Sequence, residues 1–311
     1  LIAIDMKVYF DNAATTAIDE EVLAAMMPFL TEHFGNPSTQ YSFGRDTRAA
    51  VEEARKTIAQ LINASAGEII FTSGATEANN MAIKGSVNYL GVERIITSPI
   101  EHHCVEYSVD FCRDNLHVET AMVKIDGNGN VDLEDLENLL KASDKKTLVT
   151  LMHANNEIGT LLDIEKAGAL CKQYHALFHS DTVQTFAHFP IDVQKMNVDF
   201  MSGAAHKFHG PKGIGFLYMR KQNKVQPFIH GGGQERGFRA GTENVYGIVG
   251  MAAAAKKAYA NLENDRAYIL DLKNYFITKL KENFPDIDFN GNIDERSLFT
   301  VLNVSFPPND K

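Results

Sequence analysis

Between residues 68 and 218, short apolar runs alternate with helical stretches. Runs at 68–72, 94–98, 148–152, 176–181 and 198–201 read as buried strands that stop at small or polar residues. Between them lie a helix opening after 73–79, another running through Cys112 and a third at 133–140. Alternation of this kind predicts a mostly parallel sheet with helices on both faces. In such sheets ligands gather beyond the carboxyl ends of the strands. Segments 72–76, 98–102, 152–155, 180–184 and 202–207 are therefore expected to meet around one cleft.

Three of those segments carry chemistry. The run at 198–201 delivers Lys207, which follows His206 and precedes a Gly-Pro-Lys-Gly turn. An amine placed there, partly desolvated and close to other cations, has a lowered pKa and acts as a neutral nucleophile. A lone lysine beside a turn is ordinarily a surface residue, and its neighbours decide otherwise. Asp181 ends the run 26 residues earlier (207 − 181). The Ser-Gly-Ala-Thr turn at 73–76 sits between a strand and a helix, where free N–H groups and the helix dipole favour phosphate. Plain N-capping by Ser73 or Thr76 explains that turn equally well when it is taken alone. It fits neither the dinucleotide nor the P-loop pattern. An amine, an acid and an anion cradle are the parts that pyridoxal 5'-phosphate (PLP) requires.

Composition narrows the partners. The 311 residues are 44% hydrophobic and 23% charged with a net charge of −10, as in a soluble globular protein without a basic patch for nucleic acid. No apolar run reaches the ~18 residues of a membrane span, and residues 1–6 are too few for a secretory signal. Cys104, Cys112 and Cys171 show no C-x-x-C spacing, so neither disulfides nor structural zinc are expected and a cytoplasmic location is. Residues 101–104 include metal-ligand types, but four adjacent side chains cannot face one ion, and no metal is expected. Cys104, His175, His179 and His209 read as structural, Cys112 and Cys171 as core.

Elsewhere, residues 8–12 read as a strand, 20–34 as a helix with a kink expected at Pro28, and 47–62 as an amphipathic helix with its charges opposite Val51, Ile58, Leu61 and Ile62. Residues 227–242 form a long glycine-rich loop of the sort that is functional or lies at an interface. A helix at 262–284 precedes strands at 287–290 and 301–306.

With these pieces in place the sequence resembles the cysteine desulfurases, PLP enzymes of the class V aminotransferase group with the fold type I architecture. The likeness runs from residue 9 to about residue 306. It rests on Asp-Asn-Ala-Ala-Thr-Thr at 11–16, Gly-Asn-Pro-Ser at 35–38, Ser-Gly-Ala-Thr-Glu at 73–77, Glu-His at 101–102, Asn-Asn-Glu-Ile-Gly at 155–159, His-Lys-Phe-His-Gly-Pro-Lys-Gly at 206–213 and Arg-Ala-Gly-Thr-Glu-Asn at 239–244. The resemblance implies an N-terminal segment (1–18), a large PLP-binding domain (19–255) and the start of a small, incomplete C-terminal α+β domain (256–311).

By position, Lys207 would hold PLP covalently and Asp181 would pair with its pyridine nitrogen. His102 would stack on the ring and relay protons, while Asn155 and Gln184 would hydrogen-bond the phenolic oxygen. Ala75, Thr76 and His206 would bind phosphate, and Thr242 would reach the phosphate of a neighbouring subunit in a homodimer. The implied reaction converts L-cysteine to L-alanine and an enzyme persulfide, for a sulfur-acceptor or scaffold protein in iron–sulfur cluster assembly or tRNA thiolation. Selenocysteine lyase (or a related C–S lyase) and a PLP-free regulatory subunit are the rival expectations.

Two departures stand out. Ala204 occupies a position where the family usually has a hydroxyl, at a cost of about 0.5–1.5 kcal/mol in phosphate binding. The family's mobile loop with the sulfur-accepting cysteine, and the arginine that grips the substrate carboxylate, are not found in the 311 residues. A longer intact protein is therefore expected.

Overall fold

The computed structural model describes residues 7–308; residues 1–6 and 309–311, including the opening read as too short for a signal, lie outside them. Helices α1 (Glu20–Thr31) and α2 (Ser42–Leu61) precede strand β1 (Ile69–Thr72) and α3 (Ala75–Leu90). Then come β2 (Arg94–Thr97), α4 (His103–Leu116), β3 (Glu119–Met122), α5 (Leu133–Lys141), β4 (Thr147–Thr150), α6 (Ile164–Gln173), β5 (Leu177–Asp181) and β6 (Phe200–Ala204). The chain closes with β7 (Gly215–Met219), α7 (Val245–Asn283), β8 (Asp288–Asn290) and β9 (Asn303–Ser305).

Strands β1 to β7 form one sheet in the order β1-β7-β6-β5-β4-β2-β3. The pairs from β6 through to β3 are parallel, while β7 runs antiparallel to both β1 and β6. Alternate residues feed two different cores. Ile69, Phe71, Ile96, Val149, Phe178, Phe216 and Tyr218 pack under α1, α2, α5, α6 and α7. Ile70, Ile95, Leu148, Leu217 and Met219 pack under α3 and α4. Covering both faces is why these strands read as unbroken apolar runs.

The expected mostly parallel sheet with helices on both faces is the observed one. Three local expectations change. Residues 8–12 form no strand: they pair with no strand among the described residues, and Val8, Tyr9 and Phe10 are exposed. The C-terminal helix is longer than its apolar spacing suggested, since α7 runs unbroken for 39 residues and crosses the boundary expected at 255/256. Its small residues let it seat on α1: a Cβ at Gly250 would come within 2.6 Å of Met26 Sδ. Finally, Arg55 lies on the buried face of α2 rather than with the other charges.

Gly168 in α6 gives a test of packing. Alanine at a helix interior ordinarily gains about 1 kcal/mol over glycine. Here an added Cβ would lie 1.9 Å from the backbone oxygen of Met196, which cannot rotate away. Gly168→Ala is therefore expected to destabilise by about 1–3 kcal/mol. Urea unfolding checks the sign, and an increase in stability would refute the contact.

Among the described residues no helix is long and apolar enough to cross a membrane, and no group of three or more His, Cys, Asp or Glu side chains could hold a metal ion.

Candidate active site

The carboxyl ends of β1, β2, β4, β5 and β6 open into a cavity of about 760 Å³. Lys207, Asp181, His102, Ala75, Thr76, Gln184 and His206 all line it, as does Ala204. The antiparallel β7 enters from the opposite direction, so the segment before it, Gly213 and Ile214, forms wall at the same edge.

One end of the cavity is built for an anion. Helices α1, α5 and α6 are each capped by an aspartate side chain, whereas α3 begins after Gly74 with no side-chain cap. Gly74, Ala75 and Thr76, at that start, line the cavity, and uncapped donors at a helix start favour negative charge. Gly215 keeps β7 close to this turn, since a Cβ there would lie 2.8 Å from the Gly74 Cα. Lys212 lines the same cavity. Burial, with the Lys207 and Lys212 charges, pushes the His206 imidazole down to about 4, so at neutral pH it hydrogen-bonds without charge.

The other end holds acid and amine. Asp181 is 6% exposed at the end of β5, and it accepts hydrogen bonds from Val183 N–H (3.0 Å) and Asn79 Nδ2 (2.7 Å). Burial raises its pKa, opposed by those two donors and by the neighbouring His102 and Lys207. A cation placed against this carboxylate favours its ionised form. Burial also lowers the pKa of Lys207, against the pull of Asp181, Asp11 and Glu157. The Lys207 Nζ donates to the carbonyls of Ala13 and Ala14.

That contact gives residues 13–19 a role that the expected strand did not foresee. Thr16 Oγ1 and N–H both donate to His206 O, and His209 N–H donates to Thr16 Oγ1. The early segment is thus pinned across the lysine loop, and Gln184 Nε2 also donates to Ala13 O (3.0 Å).

Two of the expected site residues do not line this cavity, and for Thr242, expected to serve a neighbouring subunit, that is no departure. Asn155 is not part of the cavity wall: its Nδ2 donates to Ile100 O and its Oδ1 accepts from the N–H groups of Glu157 and Ile158. Thr242 lines a separate cavity of about 110 Å³, which shares Ser73, Gly213 and Ile214 with the larger one. Glu101, quoted from the sequence only within the Glu-His motif and as a metal-ligand type, has a structural role that the sequence did not show. Its Oε1 accepts from Ser98 Oγ (2.7 Å) and Met152 N–H (3.0 Å), tying the ends of β2 and β4 together, and burial pushes its pKa up to about 8.

The family model for aminotransferase class-V matches residues 8–310. The cysteine desulfurase IscS of Dictyoglomus turgidum is 46% identical over 302 residues, covering 96% of this chain and 76% of its own. The chain belongs to the cysteine desulfurase family. Solved structures of that shape agree. A NifS-like protein superposes with a TM-score of 0.91 at 38% identity, covering 97% of this chain and 82% of its own. SspA in complex with cysteine gives a TM-score of 0.85 at 34% identity, over 97% and 84%. As a member of this family the chain is an enzyme of the fold type I class.

The residues present suit PLP. A buried carboxylate with donors on one side, an amine with a depressed pKa and an uncapped helix start surround a single space.

Proposed function

We propose that the intact protein removes sulfur from L-cysteine, releasing L-alanine, with PLP held at Lys207. The observation carrying this reading is the convergence of the Lys207 amine, the Asp181 carboxylate and the open start of α3 on one cavity. Bound PLP supplies an electron sink for the carbon that loses its proton. Lys207 would hold the group covalently and, once released, would take the α-proton of the substrate. Asp181 would face the pyridine nitrogen and hold a proton on it. Gly74, Ala75, Thr76 and His206 would anchor the phosphate, and His102 would cover the ring and carry protons. Asn155 and Gln184 would hydrogen-bond the phenolic oxygen, each through the second amide hydrogen left after the bonds to Ile100 O and Ala13 O. Thr242 serves a second copy in a homodimer.

The three cysteines in the chain are poor sulfur acceptors. Burial pushes the thiols of Cys104 and Cys112 up to about 11 and raises that of Cys171 further. None is a thiolate at neutral pH, and the thiolate is the nucleophile. The persulfide is therefore assigned to a different cysteine, from which sulfur passes to an acceptor protein.

Incubating the intact protein with PLP and L-cysteine should yield L-alanine together with protein-bound persulfide. Turnover of L-selenocysteine but not L-cysteine would point instead to the lyase, and absence of a cofactor band to a PLP-free subunit.

A further inference from the structure

Behind the cavity wall lies a chain of buried polar side chains that the chemistry above does not use. Asn79, on α3, and His179, on β5, are both fully buried. Asn79 Nδ2 donates to Asp181 Oδ2 at 2.7 Å and to Cys104 Sγ at 3.2 Å. Its Oδ1 lies 3.1 Å from His179 Nε2, and His179 Nδ1 lies 2.7 Å from Thr150 Oγ1. On the far side, His102 Nδ1 is 3.0 Å from Cys104 Sγ and accepts the Cys104 N–H at 3.2 Å.

Donor and acceptor rules fix every proton in this chain. A carboxamide donates only through nitrogen and accepts only through oxygen. The reverse orientation of Asn79 would set its oxygen against the Asp181 carboxylate, so Oδ1 must face His179. His179 therefore carries its proton on Nε2. Burial keeps the ring neutral, with its pKa pushed down to about 3, which leaves Nδ1 bare to accept from the Thr150 hydroxyl. At the other end the backbone N–H of Cys104 makes His102 Nδ1 an acceptor. That bond leaves Nε2, the other ring nitrogen, to carry the proton of His102.

We propose that Asn79 is a positioning residue: locked in one orientation by His179 and Thr150, it aims the Asp181 carboxylate. The inference rests on the PLP reading for what Asp181 faces, but not for the direction of the hydrogen bonds.

Two measurements separate the inference from that reading. Imidazole 15N–1H correlation spectra of the intact protein, with and without PLP, should show His179 protonated on Nε2. A proton on its Nδ1 overturns the proposal, whatever the cofactor does. The second measurement compares the PLP affinity of His179→Gln and His179→Leu. Glutamine keeps a donor for Asn79, whereas leucine fills the space and supplies none. Leucine should weaken PLP binding about tenfold and glutamine by no more than about twofold, as expected for a lost hydrogen bond to a group serving a charge. A role in packing alone gives the opposite order, because leucine suits an apolar site better, and that order would overturn the proposal. Should either variant fail to fold, the wild-type tautomer still decides. Failure of the wild-type protein to bind PLP counts against the functional reading and leaves the tautomer result standing.

Discussion

Lys207→Ala is expected to abolish covalent PLP attachment, so that borohydride treatment leaves no label on the protein. L-alanine formation should fall by about 10³-fold or more, since both attachment and proton removal are lost. The fold should survive. The Lys207 side chain bonds only to the carbonyls of Ala13 and Ala14, and Thr16 keeps the early segment fastened to His206 after the amine is gone. Lys207→Arg should rescue neither property, because a guanidinium stays protonated and cannot act as a neutral nucleophile. Lys212 is the other lysine on the cavity wall. Mass spectrometry of the reduced, digested protein checks the site, and label at Lys212 in the wild type would overturn the assignment.

The largest expected loss of stability comes from Arg55→Ala. Arg55 and Glu235 pair through two hydrogen bonds of 2.6 and 2.8 Å, and both side chains are 3% exposed. Arg55 also donates to Ile69 O and Glu52, and its guanidinium lies 4.8 Å from the centre of the Phe71 ring. Removing it strands the Glu235 carboxylate in the interior with the Phe71 N–H as its remaining donor. Breaking a buried pair from one side costs about 3–5 kcal/mol, a large part of the total of about 5–15 kcal/mol that holds a typical protein folded. Chemical denaturation should show a lower midpoint. Replacing both partners, Arg55→Met with Glu235→Leu, should cost less than Arg55→Ala alone. A loss under about 1 kcal/mol in Arg55→Ala would mean that water reaches the pair. Loop position should suffer as well, because Glu235 sits in the glycine-rich segment that carries Arg239 and Thr242. Arg239 in turn bridges Glu77 at the start of α3 at 2.9 Å.

Much of this was legible beforehand. Strands buried on both faces must be apolar throughout, so β1, β2, β4, β5 and β6 announced themselves as short unbroken runs, and their ends placed Lys207, Asp181 and the 73–76 turn together. The exposed edge strand β3 carries no such run and went unread. Residues 8–12 open on an apolar run like a strand but pair with no strand among the described residues. The helical period of α7 was obscured where its small residues face α1 and α2.

At the site, the sequence sufficed to place the groups that follow directly on a strand end around one cavity. It could not show Asn155 turned into its own loop, the fastening of residues 13–19 over Lys207, or the bond between Arg55 and Glu235, 180 residues apart. Local propensity and periodicity act over a few residues and fix which segments are helix, strand and turn. Hydrogen bonds to Asn79, His179 and Glu235 depend on which segments become neighbours, and that is settled only when the sheet order and the two cores bring them within 3 Å or so of each other.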